Sequence, residues 1–292
     1  HQAFSWAPAF REHYAVKALP NPYILKIMLE EGCGADCSSL PELILADKVG
    51  MKGEEICFTS NDTPIAEFIE AKKLGAVLNL DDITHIDFIA KQIGLPELIS
   101  FRYNPGPLRE GGNAIIGHPE EAKYGLTHNQ IFEAIEICKA RGIKRFGLHT
   151  MIVSNELNVD FLIGTATMMF ELAVEVKNRT GVNVEFINLG GGIGIPYRPE
   201  DKDVDLFGFG NGVKTEFERI LIPAGLTDVR ICLESGRMMT GPFGWLVAKA
   251  LHTKSTYKQY IGLDACMAHL MRPALYGSYH HITVVGKGDK PS

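Results

Sequence analysis

Eight short runs of apolar or β-branched residues recur along the first four fifths of the chain, and each stops at a polar residue or a glycine. Runs of this kind are typical of buried parallel strands. Because eight strands close a parallel barrel, their number strongly constrains the fold. In chain order the runs are residues 14–18, 34–39, 56–60, 76–80, 98–104, 145–150, 184–189 and 229–234.

Segments with helical periodicity separate most of these runs. They cover residues 21–31, 40–50, 63–75, 81–94, 120–142, 158–181 and 213–225. Most of them end in glycine, which readily adopts the left-handed conformation that closes a helix. The alternation of strand and helix predicts an α/β fold, a parallel (β/α)8 barrel of the TIM type.

The pattern changes after about residue 240, where aromatic and β-branched residues alternate in GWLVAKALHT, TYKQYIGLDA and HHITVVG without a long helix between them. This alternation predicts strands. We therefore expect two domains, a barrel over residues 1–240 and part of a β-rich domain over residues 241–292. The chain begins at His1 and ends soon after ITVVG, so we expect it to be a fragment of a longer protein.

The composition excludes several classes of protein. Of 292 residues, 46% are hydrophobic and 22% charged, which is typical of a globular protein with a large core. The net charge of -6 argues against a nucleic-acid footprint or a polybasic membrane patch. Neither an apolar run of about 18 residues nor a signal-peptide pattern is visible, so we expect a cytoplasmic protein.

Six cysteines are scattered through apolar stretches, which favours reduced thiols over a disulfide framework. Cys33 and Cys37 could form half of a metal site, but no second pair has ligand spacing. We expect buried thiols and no metal. The six are Cys33, Cys37, Cys57, Cys138, Cys232 and Cys266.

The carboxyl ends of the predicted strands carry a set of reactive residues, at the end of a barrel where active sites form. Lys17 ends the first run, and its place among apolar residues predicts a buried amine of the kind that forms a Schiff base. A strand-end lysine that reaches solvent is the alternative. His149 ends the sixth run and could contact a bound ring, or could be an ordinary core histidine.

Three consecutive glycines, Gly190, Gly191 and Gly192, follow the seventh run. Successive glycines let backbone N–H groups converge on an anion, although a plain turn is the alternative. Glu234 ends the eighth run and precedes Ser235, Gly236 and Arg237; it could act on a ligand or pair with Arg237.

The segment DACMAHLMRPALYGSYH, residues 264–280, is too polar and irregular for simple core packing. Arg272 and Tyr276 lie four residues apart in it. An arginine offers a bidentate fork to a carboxylate, whereas an arginine stacked on a tyrosine in a surface loop is the alternative.

Five motifs together resemble the alanine-racemase-like barrel decarboxylases, and most closely the diaminopimelate decarboxylase family. They are YAVKA with a following Asn-Pro, LHT, NLGGGIGIPY, ESGR and DACMAHLMRPALYGSYH, and they span residues 14–281 in order. The resemblance implies a pyridoxal-5'-phosphate-dependent amino-acid decarboxylase that forms a homodimer with a shared active site.

The resemblance also implies roles for individual residues. Lys17 would carry the cofactor as a Schiff base, and His149 would pack on its ring. Glu234 would hold the pyridine nitrogen protonated, which makes the ring an electron sink. The phosphate cradle would consist of Gly190, Gly191, Gly192, Glu234, Ser235, Gly236 and Arg237. The substrate would be bound by Arg237, Arg272 and Tyr276.

Three departures from the family pattern stand out. The family usually has a Gly-Ser element after the histidine, whereas this chain reads TMIVSN, so either Thr150 or Ser154 could supply the hydroxyl. Ser235 replaces the more usual proline and brings a flexible backbone. The family's cysteine motif, which provides the proton donor, is absent from this chain.

Two arginines near the substrate favour one that keeps a carboxylate, so we expect meso-diaminopimelate to give L-lysine. Ornithine, arginine and carboxynorspermidine decarboxylases are alternatives. A racemase is disfavoured by Glu234, since a racemase usually places an arginine at the pyridine nitrogen. A non-catalytic pyridoxal-phosphate-binding barrel would lack the strands after Gly241, and an unrelated phosphate-binding barrel leaves Lys17 unexplained.

Overall fold

Eight parallel strands form a closed barrel in the computed structural model, which describes residues 1–108 and 121–287. The strands are β1 (Arg11–Ala15), β2 (Gly34–Cys37), β3 (Ile56–Ser60), β4 (Val77–Leu80), β5 (Leu98–Tyr103), β6 (Arg145–Thr150), β7 (Phe186–Asn188) and β8 (Arg230–Leu233). Each overlaps a predicted run, so the predicted (β/α)8 barrel is confirmed. The first strand begins and ends three residues earlier than expected.

Helices connect the strands and cover the outside of the barrel. They are α1 (Pro22–Glu30), α2 (Leu40–Val49), α3 (Ile65–Lys73), α4 (Thr84–Gln92), α5 (His128–Ala140), α6 (Val159–Thr180) and α7 (Leu206–Glu216). Gly50 and Gly181 end α2 and α6 in the left-handed conformation, as the sequence predicts. The predicted start of the fifth helix, residue 120, lies outside the described residues.

The seventh helix begins at Leu206, not at residue 213 as the sequence predicts. Three glycines in LFGFGNG hide it, because glycine lowers helix propensity. Close packing explains two of them. A Cβ on Gly210 would lie 2.1 Å from the Ala3 carbonyl oxygen, and one on Gly212 would lie 2.2 Å from the Ile163 side chain.

The barrel interior becomes polar toward the carboxyl ends of the strands. Inward-facing side chains of such a barrel stack in layers of four from alternate strands. The register puts one layer on the even-numbered strands, with Asp36, Asn79, His149 and, directly after β8, Glu234. The layer below is on the odd-numbered strands, with His13, Cys57, Ser100 and Asn188. All eight are buried. Below them lies an apolar cluster of Val77, Leu98, Phe186 and Cys232.

A network of ion pairs lies at the opposite, amino end of the barrel. Arg145, the first residue of β6, bonds Glu54 and Glu185, both at 2.7 Å. Arg230, the first residue of β8, reaches Glu54 at 3.0 Å. These charged groups pair with one another, so the amino end of the barrel contributes to stability. The polar layers lie toward the carboxyl end, where the active sites of such barrels form.

The C-terminal part contains α8 (Arg237–Thr240), the antiparallel strands β9 (Ala250–Ser255) and β10 (Gln259–Leu263), and α9 (Arg272–Tyr276). Its residues are mostly exposed, including Trp245 and Val247. The expectation of a strand in HHITVVG is wrong, because residues 279–287 are irregular and pair with no strand in the described part of the chain. The domain boundary at 240/241 stays a prediction.

Cys33 and Cys37 are buried free thiols, as expected, whereas Cys266 is exposed. No helix in the described part of the chain is long and apolar enough to cross a membrane.

Gly147 on β6 provides a test of interior packing. A Cβ there would lie 2.2 Å from the Phe186 ring, so we expect Gly147→Ala to lower the free energy of unfolding by about 1–3 kcal/mol. Gly244, whose Cβ would meet nothing within 4 Å, is the control. Thermal melts of both alanine variants measure the difference, and equal melting temperatures would contradict this packing.

Candidate active site

Lys17 lies in a 3-10 turn, Val16–Ala18, directly after β1. Our expectation that its side chain is buried is wrong, because the turn carries Lys17 past the end of the strand into an exposed position. The positive charge of Lys17 still acts on groups at the carboxyl end of the barrel. Burial raises the pKa of Asp36 well above its usual value, and the positive charge of Lys17 opposes that rise.

Glu234 forms the centre of the polar layers. Its Oε2 lies 2.9 Å from Nε2 of His149, and its Oε1 accepts a hydrogen bond of 2.7 Å from Nδ2 of Asn188. Burial alone would raise the pKa of Glu234, but the charge and hydrogen bond of His149 outweigh it and lower the pKa to about 2. The arrangement is therefore a fixed negative charge paired with an imidazole.

His149 is 1% exposed, and Nε2 faces Glu234. Its other ring nitrogen, Nδ1, is buried and has no hydrogen-bond partner among residues 1–108 and 121–287. A buried polar atom of this kind usually has a partner in the functional state. The imidazole is thus held on one side and free to meet a ligand on the other.

The glycine run after β7 packs against the ends of two neighbouring strands. A Cβ on Gly190 would lie 2.2 Å from the Thr150 carbonyl oxygen, and one on Gly191 would lie 2.1 Å from that of Glu234. Gly190 and Gly192 also have φ angles of +73° and +86°. Only glycine fits these positions, so the backbone itself forms the surface here.

One backbone N–H of the glycine run is available as a hydrogen-bond donor to an anion. Gly190 N donates to Oδ1 of Asn188 at 2.9 Å, whereas Gly191 N faces Sδ of Met151 at 3.3 Å. A thioether is a weak acceptor, so a phosphate oxygen would be a better partner for Gly191.

The segment after β8 turns back onto the lysine turn. The carbonyl of Ser235 accepts a hydrogen bond of 3.1 Å from Ala15 N, and Ser235 itself is buried. Gly236 follows at a tight contact, because a Cβ there would lie 2.9 Å from the Cβ atoms of Ala15 and Ala18. Residues 234–237 therefore lie beside Lys17.

Arg237 opens α8 and bonds two hydroxyls. Its guanidinium donates to the Tyr197 hydroxyl and to Oγ of Ser154, each at 3.1 Å. Thr150 instead donates to the Tyr103 carbonyl inside the protein. Of the two candidate hydroxyls, Ser154 is the one that the structure brings to the site.

Tyr197 joins the two predicted arginines. The guanidinium carbons of Arg237 and Arg272 each lie 5.6 Å from its ring centroid, and the ring of His280 lies edge-on at 5.3 Å. Two cations around one phenol form a cleft suited to an anion. Tyr276 is 44% exposed on α9, so of the predicted substrate set only the arginines share this ring.

Several residues of the site were missed from the sequence. Asn188 and Asp36 are inward-facing polar residues within predicted strands, and their alternation with apolar neighbours was the available signal. Glu12 precedes the first predicted run, so the late strand start hid it. Tyr197 ends the NLGGGIGIPY motif, but nothing in the sequence indicated that it would contact Arg237 and Arg272.

The fold and the site define an α/β barrel whose carboxyl end holds a lysine, a paired carboxylate and imidazole, and a glycine-lined backbone surface. Comparison with known proteins is consistent with this class. The family described as "Pyridoxal-dependent decarboxylase, pyridoxal binding domain" matches residues 1–241. The chain therefore belongs to the pyridoxal-dependent decarboxylases, a family of pyridoxal-phosphate enzymes.

Two curated relatives are similar over nearly the whole chain. Protein TabA of Pseudomonas amygdali pv. tabaci is 36% identical over 99% of this chain and 67% of its own length. The diaminopimelate decarboxylase of Methanothermobacter thermautotrophicus is 33% identical over 97% of this chain and 66% of its own length. The chain thus spans about two thirds of the length of these relatives.

Solved structures show the same architecture. The diaminopimelate decarboxylase of Helicobacter pylori, complexed with L-lysine, superposes with a TM-score of 0.85 at 26% identity. The match covers 99% of this chain and 72% of that one. The enzyme from m. jannaschi gives a TM-score of 0.85 at 27% identity, over 96% of this chain and 67% of that one.

Pyridoxal phosphate fits the residues of this site. The glycine run offers backbone where any Cβ would collide, and the unpartnered Nδ1 of His149 adds a polar contact. Lys17 provides an accessible amine, and Glu234 provides an ionised carboxylate.

The pKa values of two buried carboxyls are shifted in opposite directions, and one titration can measure both. Burial raises the pKa of Glu12 to about 7, whereas His149 holds that of Glu234 at about 2 against the effect of burial. Carbon-13 NMR of glutamate carboxyls is expected to show both transitions, with Glu12→Gln removing only the higher one. A transition of Glu12 at its ordinary value of 4.5 would contradict this geometry.

The raised pKa of Glu12 determines how the stability of the fold changes with pH. Between about pH 4.5 and 7 the folded state holds a proton that the unfolded chain has released, so this stabilisation is full below pH 4.5 and is lost as the pH rises through 7. The Glu12→Gln variant is expected to lack this loss in thermal melts between pH 5 and 8, since Gln does not titrate in this range.

Proposed function

We propose that the whole protein decarboxylates an amino acid that keeps a second carboxylate, with meso-diaminopimelate giving L-lysine as the leading reaction. The observation that carries the proposal is the buried Glu234–His149 pair beside the Lys17 turn. A carboxylate held ionised in this way is the group that a decarboxylase needs opposite a pyridine nitrogen.

Each residue has a defined task in this proposal. When bound, pyridoxal phosphate supplies an electron sink for the carbanion left after loss of the carboxylate. Lys17 would hold the cofactor through Nζ, and Glu234 would keep a proton at the ring nitrogen. His149 would pack on the ring, and its hydrogen bond fixes the position of Glu234. The Gly191 N–H, which faces Sδ of Met151, would be available to the phosphate.

The two arginines at Tyr197 favour a substrate that carries a second carboxylate. Arg237 is half-buried, and burial lowers its pKa while the charge of Arg272 adds to the effect. Two such cations at 5.6 Å from one ring repel each other until an anion lies between them. A distal carboxylate of the substrate meets this need, whereas the ammonium of ornithine or lysine does not.

TabA, at 36% identity, keeps a second possibility open. That similarity does not itself select a substrate, and the arginine pair would serve another amino acid that carries a carboxylate in the same place. Decarboxylases of ornithine, arginine or carboxynorspermidine type remain alternatives. The strands β9 and β10 favour an enzyme with a second domain over a non-catalytic barrel, and Glu234 disfavours a racemase.

We also propose a cytoplasmic homodimer that serves lysine biosynthesis and shares its active site between subunits. The proton donor would then come from the partner subunit. Three predicted roles remain part of the proposal, namely those of Ser235 and Gly236 at the phosphate and of Tyr276 at the substrate.

The cofactor role of Lys17 is tested by absorbance. Lys17→Ala is expected to abolish the visible-edge band that the protein gains with pyridoxal phosphate, because no amine remains at the end of β1. Lys26→Ala, an exposed lysine on α1, is the matched control and should keep the band. No band with the unchanged protein would overturn the cofactor assignment.

The substrate class is tested on a full-length protein. Arg272→Gln should raise KM for meso-diaminopimelate about ten- to hundredfold, the effect of one lost hydrogen bond to a charged group. Exposed Arg198, which stacks on Tyr279 at 4.7 Å, provides the control Arg198→Gln. Ornithine, arginine and lysine are assayed in parallel, and a preference for any of these would reject the proposed class.

A further inference from the structure

We propose that Glu12 is a positioning residue that fastens residues 234–237 to the strand leading to Lys17. The inference goes beyond the residues of the reaction itself and rests on the proposed function of Lys17 and Glu234. It concerns a carboxylate whose hydrogen-bond partner is Ser235 and which has no role in the reaction proposed above.

The link is a short hydrogen bond between two buried groups. Oε1 of Glu12 accepts from Ser235 N at 2.6 Å, and the two residues are 6% and 2% exposed. Ala15 N donates to the Ser235 carbonyl at 3.1 Å. Strand β1 therefore holds Ser235 at both of its backbone groups, once through a side chain and once through the main chain.

The bond completes a strand pairing that ends early. The ladder between β1 and β8 pairs Arg11 with Cys232 and Glu12 with Leu233, and β8 ends there. Beyond this point Ser235 N is buried, so without Glu12 it would lack an acceptor, which is costly inside a protein. The side chain of Glu12 therefore supplies the acceptor that a further pair in the ladder would provide.

The residue at position 235 explains why an acceptor is needed. A proline at this position would have no N–H to satisfy and would fix its own φ. Serine brings an N–H donor and a freer backbone. We infer that Glu12 and Ser235 form one unit, in which the hydrogen bond supplies the rigidity that a proline ring would provide.

Glu12 acts from outside the barrel. Its strand neighbour His13 faces the interior beside Gly34, where a Cβ would lie 2.7 Å from the His13 ring. Alternation along β1 places Glu12 on the other face, toward the surrounding helices. Glu12 is therefore not a catalytic residue, and its effect on the site passes through Ser235.

Three functional groups depend on this fastening. Glu234 precedes Ser235, and Arg237 follows two residues later with its hydrogen bonds to Tyr197 and Ser154. Gly236 contacts Ala15 and Ala18, which flank Lys17. Release of Ser235 would loosen the carboxylate, the arginine and the lysine turn together.

The test compares variants with and without an acceptor at position 12. Glu12→Leu removes the acceptor at similar size, and Glu12→Gln keeps one. Hydrogen–deuterium exchange of the peptide that contains Ser235 reports the bond directly, and titration with pyridoxal phosphate reports the site. Glu12→Leu should exchange about tenfold faster and bind the cofactor about tenfold more weakly, while Glu12→Gln stays within about threefold of the unchanged protein.

Two controls separate positioning from general stability. Thr180, at the end of α6, also accepts a buried hydrogen bond from a backbone N–H, that of Val182 at 3.2 Å. Thr180→Val should lower the melting temperature without changing cofactor affinity. Glu12→Gln, which keeps an acceptor at position 12, is the second control and should keep cofactor affinity within about threefold of the unchanged protein.

The outcomes distinguish this inference from the proposed function. If the unchanged protein binds no pyridoxal phosphate, the proposed function fails, and exchange at Ser235 still decides whether the bond exists. If Glu12→Leu binds as tightly as the unchanged protein, the positioning role is wrong. The role is also wrong if Glu12→Gln behaves no better than Glu12→Leu, including the case in which both fail to fold.

Discussion

Closure of the sheet between β8 and β1 is the constraint on which the rest of this structure depends. The hydrogen bond from Ser235 to Glu12 joins residues 223 positions apart, so it links the two ends of the barrel sequence. Closure brings the lysine turn at one end of the sequence to the carboxylate near the other. The active site is therefore a product of the complete fold and not of any one βα unit.

Buried polar groups are the main energetic cost of this arrangement. Removing Glu234 and His149 from water is unfavourable unless each finds a partner, and they meet this condition with each other and with Asn188. The apolar layer of Val77, Leu98, Phe186 and Cys232 lies below and packs the barrel. Stability and chemistry are thus separated along the barrel axis.

The sequence predicts the barrel well because the apolar runs record burial on both faces of each strand. It also predicts the carboxyl-end residues, since Glu234 and the glycine run follow strands directly. Lys17 shows the limit: an apolar run does not reveal a turn, so its exposure was missed. Tyr197 and Glu12 show a second limit of prediction from sequence, because contacts between residues far apart in the chain leave no trace in local periodicity.

The ion pairs at the amino end have a consequence for folding. Glu54 receives Arg145 from β6 and Arg230 from β8, while Arg145 also binds Glu185. A shift of one residue in the pairing of either strand would turn its arginine to the opposite face and leave a charge without its partner. This cluster therefore penalises misregistered barrels, and it selects the one strand alignment in which the residues at the far end of the barrel meet.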